Sequence, residues 1–126
     1  MTGSRRFGAA STAAAKTATY AQALSRIMPA VAPLFDALRE AVGTDPECSR
    51  LRDELAERRA ANMAVFAPNL RGTGQLCDDL SDDQIADIIW TTNAPEYYRL
   101  VASRGWTPQA YGTLLQDIWT RLLLPP

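Results

Sequence analysis

Apolar positions recur every three or four residues over most of the chain, and that period predicts helices. From Thr12 the sequence is alanine-rich, and Tyr20, Leu24, Ile27, Met28 and Val31 draw one apolar stripe along a helix. Pro29 and Pro33 fall within this stretch. Each removes a backbone donor and disfavours helix at the residue before it, so the segment reads as two helices or as one kinked helix. Pro33 would open the second piece, Leu34 to Val42, with Gly43 as its C-terminal cap.

Thr44, Asp45, Pro46 and Glu47 form the next start signal: a capping side chain, a first-turn proline and an acid at the positive end of the helix dipole. The helix they open is expected to run to about Leu70. Its seam is Cys48, Leu51, Leu55, Asn62, Met63, Phe66 and Leu70, with Arg58 and Arg59 breaking the apolar run. Gly72 and Gly74 mark a turn, and Ser81 with Gln84 forms a capping box ahead of Ile85, Ile88 and Ile89. Pro95 either kinks that helix or restarts it, and Tyr97, Tyr98, Leu100 and Val101 carry the apolar set to Gly105. Thr107 and Pro108 open a last helix with Tyr111, Leu114, Leu115, Ile118, Trp119 and Leu122 at helical spacing, stopped by Pro125 and Pro126.

No segment alternates with period two, so the expected fold is all-α, a helical bundle of about five to six helices without strands. Residues 1–12 are small and polar and read as a frayed tail, and residues 13–126 as one domain. With 47% hydrophobic and 21% charged residues, the 126-residue chain has an ordinary globular composition. It has no apolar run of membrane-spanning length and no signal-peptide core, so a cytoplasmic protein is expected.

Charge and chemistry narrow the function. A net charge of −1 provides no positive field for a phosphate backbone, and Arg5–Arg6 is too short to serve as a nucleic-acid arm. The absence of histidine excludes Ser-His-Asp triads, Cys-His dyads and histidine metal sites. Cys48 and Cys77 lack metal or redox spacing and read as free thiols. Asp78, Asp79, Asp82, Asp83 and Asp87 cluster where a helix dipole favours acids, without the mid-loop glycine and distal glutamate of a calcium loop. No metal, no cofactor and no catalysis are expected.

The aromatic, methionine and amide residues are more informative. Tyr20, Leu24, Met28, Phe35, Asn62, Met63, Phe66, Trp90, Asn93 and Tyr98 combine flat or flexible side chains with a few polar atoms, as suits an adaptable apolar pocket. The same residues would equally serve as a plain core. The last two helices carry more apolar residues than one stripe needs, so that Leu123 or Trp119 is expected to face out. Tyr97, Leu100, Val101, Tyr111, Leu114, Leu115, Ile118, Trp119 and Leu122 form the candidate dimer interface, two helices from each chain making a four-helix contact. A wider intramolecular core is the alternative.

At Ala86–Val101 (ADIIWTTNAPEYYRLV) and Arg104–Tyr111 (RGWTPQAY) the chain resembles the C-terminal domain of TetR-family transcriptional regulators. Ala32–Ala41 (APLFDALREA) and Thr44–Glu47 (TDPE) look like the same subgroup, and the similarity covers about Ala13 to Leu124. The resemblance implies a small, mostly apolar effector held among the helices and a homodimer formed by the last two. It also implies that effector binding shifts the spacing of two N-terminal DNA-binding heads. The sequence before Ala13 has no helix-turn-helix pattern, so no DNA binding by this chain alone is expected. A headless partner that pairs with intact TetR-type regulators and titrates them is the alternative function.

Overall fold

Pro29 and Pro33 do not divide the first helix: α1 runs unbroken over Ala13–Ala41 in a computed structural model that describes residues 12–126. Both prolines are exposed and lie one turn apart, off the buried stripe of Leu24, Met28 and Ala32. The carbonyls of Ser25 and Pro29 lose their helical donors, and the proline rings themselves project to solvent. Of the two readings, two helices or one kinked helix, the structure has a single helix of 29 residues with both prolines inside it. The Thr12 side chain caps it by accepting from the Ala15 amide at 3.1 Å. The remainder of the expected tail, with Arg5–Arg6, lies outside the described residues. Helix α1 ends at a Val42 cap in right-handed geometry rather than through a left-handed Gly43.

Four further helices follow: α2 (Pro46–Arg71), α3 (Asp82–Thr92), α4 (Pro95–Ser103) and α5 (Pro108–Leu123). Their starts follow the local chemistry. Asp45 caps α2, Ser81 and Gln84 complete a capping box on α3, and Thr107 caps α5. Pro95 restarts the chain, separating α4 from α3. The described residues are therefore all-helical, with no strand. No helix among them is long and apolar enough to cross a membrane.

Helix α1 packs against α2, α4 and α5 but not against α3, which lies on α2. The core takes Leu24 and Met28 from α1, Met63 and Leu70 from α2, Ile85 and Ile89 from α3, Tyr98 from α4, and Tyr111, Leu115, Trp119 and Leu123 from α5. Each fully buried Leu or Ile side chain contributes about 1.5–3 kcal/mol through removal from water. Trp119 and Leu123 are both wholly buried, which corrects the expectation that one of them faces out. Helix α5 lies so close to α1 that its inner face, where both side chains sit, is sealed.

The seam expected for α2 also changes. Its buried residues are Met63, Ala67 and Leu70, all in the C-terminal half, whereas Leu51 and Asn62 are exposed. The N-terminal half has little to pack against. Arg58 is exposed, while Arg59 turns inward along the stripe of Met63 and Leu70. The α2–α3 connection is held by Arg71, which donates from Nε to Asp82 at 3.1 Å, from Nη1 to the Cys77 carbonyl at 2.7 Å and from Nη2 to the Leu80 carbonyl at 2.5 Å.

Candidate functional site

Helices α1 and α2 leave an open groove between them, with a volume of about 600 Å³. Lys16, Thr19, Tyr20 and Ala23 line one wall, and Asn62, Met63, Val65, Phe66 and Asn69 the other. The spacing explains the wall: residues 16, 19, 20 and 23 share one helical face, as do 62, 65, 66 and 69. At one end the Lys16 ammonium donates to the Asn69 side-chain oxygen at 2.7 Å, bridging the two helices. The volume lies within the range of small-molecule sites, about 300–1,000 Å³.

Tyr20 forms the floor. Its ring meets Phe66 edge-on at 5.4 Å and stacks on Trp119 at 5.6 Å with 14° between the planes. Its hydroxyl accepts from Asn93 Nδ2 at 2.7 Å. Burial raises the hydroxyl pKa, opposed by the Asn93 hydrogen bond and by the charge of Arg59. Asn93 is 1% exposed; its Nδ2 also reaches the Met63 sulfur at 3.5 Å, and its Oδ1 is buried without a partner. Beneath the groove, Trp119 Nε1 donates to Thr92 Oγ1 at 2.8 Å, and the Tyr111 hydroxyl donates to the Thr92 carbonyl at 3.0 Å. The end of α3 thus ties the groove floor to α5.

The ten residues expected to form a pocket divide three ways. Tyr20, Asn62, Met63 and Phe66 line the groove. Leu24, Met28, Asn93 and Tyr98 are buried in the interior behind it. Phe35 and Trp90 line a second cavity of about 260 Å³ near the far ends of the same two helices, with Arg39, Arg52, Ala56, Arg59 and Glu96. Lys16, Thr19, Ala23, Val65 and Asn69 were not among the sequence candidates, because small and polar residues on a helix carry no pocket signal of their own. Their helical register with Tyr20 and Phe66 is the signal that would have found them.

The candidate interface residues also divide. Tyr111, Leu115 and Trp119 are 0% exposed within the single chain. Leu100 and Leu122 are exposed, at 69% and 50%, and Tyr97, Val101, Leu114 and Ile118 are half-buried. The latter six keep some exposure on α4 and α5, although Tyr97, Val101 and Ile118 also pack in part against the core. Trp106, 46% exposed in the α4–α5 turn, adds to the exposed apolar side chains of this region.

The described residues contain no group of three or more acids and cysteines placed to hold a metal ion. Both cysteines are free, and burial heads the causes that raise the Cys48 thiol pKa. Comparison of the chain with protein-family models, with curated proteins and with solved structures finds no match.

Proposed function

We propose that the chain is the effector-binding and dimerisation domain of a TetR-type transcriptional regulator, and that a small, mostly apolar effector lies in the α1–α2 groove. The observation that carries this is the position of Tyr20. Its ring is exposed to the groove on one side, while its hydroxyl is hydrogen-bonded to Asn93 and its face is stacked on Trp119. A ligand that displaces this ring acts on the end of α3 and on α5 together. An effector that binds one arrangement of these helices better than another shifts their populations by that difference in affinity. The resemblance at Ala86–Val101 and Arg104–Tyr111 and the apolar outer surface of α4 and α5 support the same assignment. That surface would pair with a second copy across a two-fold axis. No catalytic step is assigned to the chain.

A thermal-shift screen of lipophilic small molecules at saturating concentration tests the groove. A ligand present at 100 times its Kd stabilises the folded state by about 2.7 kcal/mol, a readily measured rise in melting temperature. Ala23→Trp, which fills the groove from α1, is expected to abolish the shift. No shift across a broad library, or a shift that survives Ala23→Trp, would reject the site.

A further inference from the structure

We propose that the second cavity, centred on Arg59, is a separate site for a small aromatic carboxylate. Its walls hold three guanidinium groups, Arg39, Arg52 and Arg59, against one carboxylate, Glu96. Two of the three already have an acid partner: Arg39 pairs with Asp36, which Arg99 shares, and Arg52 pairs with Asp53. Arg59 forms no ion pair among the described residues, although it is the most inward of the three. It lies over the Trp90 ring at 4.7 Å, and its Nη2 donates to the Trp90 carbonyl at 3.2 Å. Its Nε is closed to solvent and has no acceptor.

A guanidinium removed from water needs both a countercharge and acceptors for its rigid fork of donors. Arg59 is half-buried: it has one protein carbonyl and one ring face, and Nε is its one nitrogen that is closed to solvent without a partner. Glu96 is the acid whose charge it feels most, yet the two form no ion pair. A carboxylate brought to the free edge of the guanidinium supplies the missing charge and the missing acceptors in one planar, two-oxygen group. Trp90 is 36% exposed, so the Arg59–Trp90 pair lies at the boundary with solvent.

The rest of the cavity sets the body of the ligand. Phe35 and Trp90 offer aromatic surface, and the neighbouring Ala56 leaves space between them. At about 30 Å³ for each water-sized group, 260 Å³ holds roughly nine such groups, the size of a benzoate ion. A phosphate would satisfy the charge but leave the aromatic walls uncovered. The site shares no lining residue with the α1–α2 groove.

Isothermal titration of the full chain with benzoate, benzamide and inorganic phosphate tests this. Benzoate is expected to bind about tenfold or more tightly than its neutral isostere benzamide, and more tightly than phosphate. Arg59→Met, with folding checked by circular dichroism, should remove the preference for benzoate. Glu96→Gln alters an exposed side chain and removes the competing acid, so benzoate should bind more tightly to it than to the parent. Ala23→Trp in the groove should leave benzoate binding unchanged. Equal binding of benzoate and benzamide, tighter binding of phosphate, undiminished preference in folded Arg59→Met, or unchanged or weaker binding by Glu96→Gln would each overturn the proposal.

Discussion

Asn93 donates a hydrogen bond to the Tyr20 hydroxyl at 2.7 Å, joining residues 73 positions apart on helices that do not otherwise pack together. The bond closes a buried polar path from the groove to α3, where Thr92 receives both Trp119 and Tyr111. Asn93→Ala leaves the Tyr20 hydroxyl without this donor and opens a small void. A loss of about 1–3 kcal/mol is expected, the range for removing one partner of a buried hydrogen bond. Urea unfolding measures it. A loss below a few tenths of a kcal/mol would mean that the bond does not hold the two helices together.

Two tyrosines, the buried Tyr111 and the half-buried Tyr20, make the fold sensitive to alkali. Burial raises the hydroxyl pKa values of Tyr111 and Tyr20 above the ordinary value of 10.0. Above about pH 10 the unfolded chain releases these protons while the folded chain retains them, so the native state binds more protons and stability falls as pH rises. The stability from these groups is complete below pH 10 and is lost progressively above it, as pH climbs toward the folded-state values. Melting temperatures between pH 8 and 11.5 should show a plateau followed by a decline. Tyr111→Phe should make the decline shallower, and an equally steep decline would assign it to other groups.

Gly112 sets the approach of α5 to α1. A Cβ at this position would lie 2.8 Å from the Ser25 Cβ and 3.3 Å from the Ala21 carbonyl oxygen. Alanine favours helix over glycine by about 1 kcal/mol, but overpacking costs about 1–3 kcal/mol, so Gly112→Ala should destabilise by up to about 2 kcal/mol. Ser25→Gly in the same chain should recover part of this loss, whereas Ser25→Ala, which keeps the Cβ, should not. A double-mutant cycle without coupling between positions 112 and 25 would contradict the packing described.

The outer surface of α4 and α5 predicts an assembly state. Leu100→Asp together with Leu122→Asp places charge on exposed apolar positions without entering the core. Sedimentation velocity should give a dimer for the parent chain and a monomer for the double variant, with the helical circular dichroism retained. A monomeric parent, or a dimer that persists in the variant, would remove this surface from the proposed interface. Trp119→Asp and Leu115→Asp are unsuited to this test, because both side chains are fully buried and their replacement would unfold the chain.

The helical period and the start signals around Asp45, Ser81 and Thr107 were legible in the sequence, because a helix and its ends are determined within a few residues of one another, whereas at Pro95 the sequence left a kink and a restart both open. So was the all-α class. The continuity of α1 through Pro29 and Pro33 was not, since tolerance of a proline depends on which side of the helix faces water, and packing decides that. Apolar spacing marked Tyr20, Met63 and Phe66 but did not separate groove from core, because both require the same side chains on the same face. Only the meeting of α1 with α2 made a groove of them, and only the closeness of α5 to α1 buried Trp119 and Leu123. Arg59 reverses most completely. In sequence it interrupts an apolar seam, while in the fold it turns inward over Trp90 with an unpaired nitrogen, a placement that depends on α3 lying against α2.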